Sequence, residues 1–165
     1  TATVTSGGTA SITFSSIPST YKHLQIRGIV KSTTSGTDTD SLVTYFNTDS
    51  TSSDYYYHYL NGGGSTAYAG AGNSASGFYT GISFVPKSGA TNIFGTVIMD
   101  ILDYASTNKN KTVRNLIGGD LNGSGTIGLT SGLWLNSSSA INQITISSSA
   151  NNLAQYSQFA LYGIN

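Results

Sequence analysis

Residues 21–31 read YKHLQIRGIVK. Leu24, Ile26, Gly28 and Val30 fall on alternate positions, and Lys22, His23, Gln25, Arg27 and Lys31 form the polar complement. Successive residues of a strand point to opposite sides, so this spacing describes a strand with one face buried. The same alternation extends outward. Upstream, Ile12 and Phe14 alternate with serine and threonine before a turn at Ile17-Pro18-Ser19-Thr20. Downstream, residues 32–40 (STTSGTDTD) have the composition of a loop.

The rest of the chain repeats this unit. A strand is expected at 41–47, with Leu42, Thr44 and Phe46 on one face and Val43 and Tyr45 on the other, and another at 55–60. Residues 61–77, rich in Gly, Ser and Ala, read as a long flexible loop. A strand at 78–85 ends at Pro86. The longest apolar stretch, 93–104, is rich in β-branched residues and reads as a central strand buried on both sides. It lacks the caps and the Glu, Lys or Ala of a helix. Residues 106–111 form a polar hairpin loop, and return strands follow at 112–117, 126–135 and 141–146. A last strand at 155–164 places Phe159, Leu161 and Ile164 in the core. Nine or ten short strands at this spacing predict one all-β domain over residues 1–165, an antiparallel β-sandwich of jelly-roll-like form.

Composition agrees. Only 8% of residues are charged, against roughly 25% in an average globular domain. The seven acids are all Asp, and they balance seven Lys and Arg. Strong helix formers are scarce, while Thr, Tyr, Ile and Val, which fit strands, are plentiful. A net charge of zero gives no electrostatic ground for a nucleic-acid partner, and a near-neutral surface of Ser, Thr, Asn and Gly favours association. No apolar run approaches the ~18 residues of a membrane span. The chain begins at Thr1 without a signal-peptide pattern, which reads as a processed or excised polypeptide.

Few residues are arranged for catalysis. The absence of cysteine excludes disulfides and thiolate metal ligands. A zinc site needs three or four convergent ligands, and His23 and His58 stand alone, so neither metal nor cofactor is expected. Gly62-Gly63-Gly64 precedes no helix and offers no phosphate cradle. Ser124, in Asn122-Gly123-Ser124-Gly125, reads as part of a hairpin turn, and Asp120-Leu121-Asn122-Gly123 lacks the rest of a calcium loop. Asp100 and Asp103 are three apart and face opposite sides of a strand, which does not suit a glycosidase pair. They read as structural partners of the next strand, with Arg114, Thr112 and Lys111 in reach. No catalytic residue is assigned.

The run Tyr55-Tyr56-Tyr57-His58-Tyr59 is the main anomaly. Alternation sends Tyr55, Tyr57 and Tyr59 to one face, and Tyr56 and His58 to the other. Buried tyrosine needs a hydroxyl partner, so one face is expected to be wet or at an interface. Tyr55, Tyr57, Tyr59, Tyr68 and Tyr79 are the candidate binding residues, for a glycan or a subunit. Trp134 reads as a core or interface anchor.

Several stretches resemble small jelly-roll-type structural proteins of tailed bacteriophages, decoration or fibre proteins and especially those of marine phages. The resemblance rests on Ser11-Ile12-Thr13-Phe14-Ser15-Ser16-Ile17-Pro18-Ser19-Thr20-Tyr21-Lys22-His23-Leu24-Gln25-Ile26-Arg27. It continues in Asp100-Ile101-Leu102-Asp103-Tyr104, Asn108-Lys109-Asn110-Lys111-Thr112, Gly128-Leu129-Thr130-Ser131-Gly132-Leu133-Trp134 and Phe159-Ala160-Leu161-Tyr162-Gly163-Ile164. Residues 32–92 depart most from the pattern. The resemblance implies a virion component without choosing between capsid decoration and tail fibre. The expectation is therefore a non-enzymatic structural protein on the virion surface, a homo-oligomer with the trimer as first choice, in contact with other virion proteins. The alternative is a carbohydrate-binding domain that recognises host-surface glycans, and a glycan-cleaving enzyme ranks third.

Overall fold

The computed structural model describes residues 1–51, 53–74 and 77–165, with residues 81–84 described by backbone alone. Every regular element among them is a strand: β1 (Ala2–Thr3), β2 (Ser11–Phe14), β3 (His23–Val30), β4 (Thr39–Phe46), β5 (Tyr55–Gly63), β6 (Thr66–Asn73), β7 (Phe78–Pro86), β8 (Gly95–Leu102), β9 (Lys111–Asp120), β10 (Gly125–Trp134), β11 (Ile144–Ser148) and β12 (Gln158–Ile164). An eight-stranded sheet of order β1-β12-β3-β8-β9-β10-β5-β6 packs against a four-stranded sheet of order β2-β11-β4-β7, and the pairings are antiparallel. The expected β-sandwich is what forms.

The chain passes from one sheet to the other at eight of its eleven connections. With β8–β10 counted as one thickened position, the small sheet β2-β11-β4-β7 faces β3-(β8–β10)-β5-β6. That interleaving is the double Greek key of a jelly roll. The thickening is a meander closed by two hairpins. The second turns on Asn122 and Gly123, both at positive φ (63° and 98°), with Leu121 N donating to Ser124 O. An Asn-Gly pair tolerates this left-handed backbone and so matches the twist of the flanking strands.

The core lies between the sheets. From the large sheet come Leu24, Ile26, Val30, Val97, Met99, Ile101, Val113, Ile117 and Trp134, and from the small sheet Ile12, Leu42, Phe46, Phe78, Val85, Ile144 and Ile146. Phe46 is its aromatic hub, with its ring 5.5 Å from Phe78 and 5.6 Å from Trp134. Trp134 Nε1 donates to Asp49 at 2.7 Å, so this residue is a core anchor with its one polar atom satisfied.

Four expectations are corrected. Residues 61–77 are no loop for most of their length: β5 runs on to Gly63, and β6 pairs with it through eight residues without a register shift. Residues 75 and 76 of that stretch lie outside the described residues. Glycine and alanine have low strand propensity, but here the tyrosines of β5 fill the space above the glycines of β6. A Cβ added at Gly70 would lie 2.5 Å from Tyr59 Oη, and one at Gly72 2.6 Å from Tyr57 Oη.

The stretch 93–104 yields the central strand β8, but with only one buried face. Val97, Met99 and Ile101 point into the core, whereas Ile98 and Leu102 are exposed. Ile164, expected in the core, is also exposed, because it shares the outward register of His23. Lys31, read as surface polar complement, is buried; its Nζ donates to Ala90 O, and burial lowers its pKa.

Candidate functional site

The β5–β6 hairpin carries the tyrosines, and its two faces differ. Tyr55, Tyr57, Tyr59 and Asn61 point to the core side. Tyr56, His58 and Leu60 point outward, opposite Leu133, Ser131 and Leu129 of β10. Tyr55 departs from its assignment as a binding residue. It is fully buried, its hydroxyl accepting from Phe46 N at 3.0 Å and donating to Asp49 O at 3.0 Å. Burial pushes its phenol pKa well above the usual value. It fixes the hairpin to the turn after β4 and is closed to a ligand.

Three of the other four, Tyr57, Tyr59 and Tyr79, meet near the open edge of β7. The Tyr57 ring stacks on Tyr59, with centroids 6.5 Å apart and 25° between the rings, and meets Tyr79 edge-on at 5.3 Å. Tyr68, opposite Asn61 in register, lies on the same face of the hairpin and is exposed. Burial, with the Tyr79 and Tyr59 phenols adding, raises the Tyr57 pKa. Asn61 Oδ1, Thr130 Oγ1 and both amide atoms of Asn115 are buried on this side of the sheet without a hydrogen-bond partner among the described residues. Nothing in the sequence pattern distinguished these three from ordinary strand residues.

The acids are engaged in structural contacts. Asp100 accepts from Arg114 at 2.8 Å and from Gln25 at 2.7 Å; hydrogen bonds from these two hold its carboxyl below the usual range. That matches the expected partnership with the next strand. Asp103 does not join it: the residue lies beyond β8, and its carboxylate pairs with Lys109 of the loop at 2.6 Å. Lys111 turns inward, donates to Asn136 O at 2.8 Å and sits 5.5 Å from the Trp134 ring centre. His23 Nδ1 accepts from Asp103 N. No group of three or more His and Asp suited to a metal occurs among the described residues.

The outward face of the large sheet carries a second feature, which the two-sided reading of β8 concealed. Ile98, Leu116, Leu129, Leu60 and Ala69 form one continuous cross-strand row from β8 to β6. Ile127 and Ile29 lie in the adjoining row. These six large aliphatic side chains are between 39% and 62% exposed. With Tyr56, Leu102, Tyr162 and Ile164 at its margins, this face holds ten of the fourteen exposed large hydrophobic side chains among the described residues. The row on the other side is polar: Gln25, Asp100, Arg114, Ser131 and His58. Shallow depressions of about 610 and 360 Å³ open along the apolar rows.

No protein-family model and no curated protein matches the chain. Among solved structures it is similar to an alginate lyase, A1-II', a member of polysaccharide lyase family-7. The identity is 6% and the TM-score 0.24, over 93% of this chain and 66% of that chain. A likeness this weak carries no argument about fold or activity.

Proposed function

We propose that this chain is a non-enzymatic structural protein of a tailed-phage virion, displayed on the particle surface as a capsid decoration or fibre component. It assembles with copies of itself, as a trimer, and with other virion proteins. The observation that carries the reading is the uncovered aliphatic face of the large sheet. The largest apolar patch on a typical monomer is about 300–600 Å², and six half-exposed leucines and isoleucines reach the top of that range. Such a face is suited to contact with another macromolecule. The commitment of the aspartates to structural hydrogen bonds and ion pairs supports a non-catalytic role, and the resemblance in sequence supports the phage setting. Labelling purified particles with an antibody to the chain tests it. Symmetric labelling of head or fibre is expected, and particles devoid of the chain would overturn the proposal.

A second reading is favoured by the Tyr57, Tyr59 and Tyr79 cluster, with Tyr68 exposed on the same face of the hairpin. Aromatic faces at a sheet edge can stack on a sugar, which would make the chain a host-glycan receptor domain. Glycan-array binding that is lost in Tyr57→Ala, with the circular dichroism spectrum unchanged, is the expected result. An array without binding removes this reading.

A further inference from the structure

We infer that the outward face of the eight-stranded sheet, centred on Leu116 and Leu129, is a homotypic interface whose occupant is a second copy of this chain. The inference rests on the structural-protein reading and names the partner of its carrying surface. Area is the first argument. The six aliphatic side chains with the exposed Ala67, Ala69 and Ala71 of β6 present roughly 600–700 Å², close to the ~800 Å² that each partner gives to a stable complex.

Charge is the second. Arg27 and Arg114 on this face are matched by Asp100 and Asp120, and the whole chain is neutral. Two copies therefore approach without net repulsion, whereas a polyanion finds no cationic surplus. The patch centre is aliphatic, with its aromatic residues at the margins, so it lacks the ring platform that a sugar requires.

The patch runs to β6, an edge strand of eight residues with no charge, proline or register shift. Edges of this kind pair with other chains unless something protects them. A neighbour seated on the patch would cover the edge as well.

Light scattering coupled to size exclusion is the test, on the chain as it stands and on a Leu116→Asp/Leu129→Asp double variant. The expected result is a multiple of 17.1 kDa for the former and the monomer mass for the latter. A second measurement covers a variant that fails to fold. The chain has no cysteine, so Leu129→Cys supplies the one thiol for a short bismaleimide, which should link two chains. Thr13→Cys, exposed on the outward face of the four-stranded sheet on the other side of the sandwich, should not be linked. A wild-type monomer, an oligomer that survives the double substitution, or equal crosslinking at both sites overturns the inference. These outcomes leave the virion reading to the particle-labelling experiment, and an oligomer absent from particles would sink that reading while keeping this interface.

Discussion

Asp40 and Thr130 are both buried polar residues, and their expected mutational effects have opposite signs. The Asp40 carboxylate accepts from Ser32, Thr34, Ser148 and Ser149 hydroxyls and from Ser41 N, at 2.6 to 2.9 Å. It ties the loop after β3 to the loop after β11. Burial raises its pKa, but the hydroxyl donors together outweigh burial and hold it below the usual carboxylate value. Asp40→Ala removes the acceptor these donors share and should cost about 3 kcal/mol. Because the folded pKa is depressed, the Asp40 contribution is present above the unfolded value of about 4 and is lost as pH falls through the folded value. Urea midpoints measured from neutral to acid pH should therefore fall less steeply in the variant. Thr130 Oγ1 has no hydrogen-bond partner among the described residues. Thr130→Val keeps the shape and removes an unsatisfied hydroxyl, so it should stabilise the fold by about 1 kcal/mol. A urea midpoint lower than wild type would show that the hydroxyl is satisfied in solution.

The β5–β6 hairpin shows why a strand can hide in a glycine-rich sequence. Its stability comes from tyrosine rings lying across glycines of the neighbouring strand, a pairing between strands that a reading along one strand does not reach. Gly70→Val should force the Tyr59 ring out of its place and break its stack on Tyr57. The expected cost is about 1 kcal/mol, with a changed near-ultraviolet tyrosine signal and faster amide exchange along β6. An unaltered signal would mean that the ring does not lie over Gly70. The strand beginning near Tyr21 and the one expected at 41–47 are legible because their alternation reports the contrast between core and solvent, although β4 starts two residues earlier, at Thr39. In β8 the same signal failed. Ile98 and Leu102 are as apolar as Val97 and Met99, so nothing in composition separates a face buried in the fold from one left open. For the candidate site, alternation placed Tyr57 and Tyr59 together, but it could not reveal that Tyr55, two residues earlier on the same face, lies under the small sheet.

At the scale of the whole molecule, the four-stranded sheet covers only the inner face of the eight-stranded one. The outer face is left open, and its aliphatic rows cross β8, β9, β10 and β5. Each half-exposed leucine or isoleucine there forgoes on the order of 1 kcal/mol of burial. A partner surface would recover that free energy, and folding would then be coupled to association. For such a protein the melting temperature rises with protein concentration, because only the native chains associate. Tm should climb across a dilution series of the wild-type chain and stay constant in the Leu116→Asp/Leu129→Asp variant. An interface made of aliphatic rows also has a characteristic response to salt. Screening weakens contacts between exposed charges, whereas sulfate strengthens apolar burial by its exclusion from protein surface. Assembly measured by light scattering should therefore hold in sodium chloride and tighten in sodium sulfate. Dissociation by sodium chloride alone would assign the contact to Arg114 and its polar row instead of the aliphatic rows beside it.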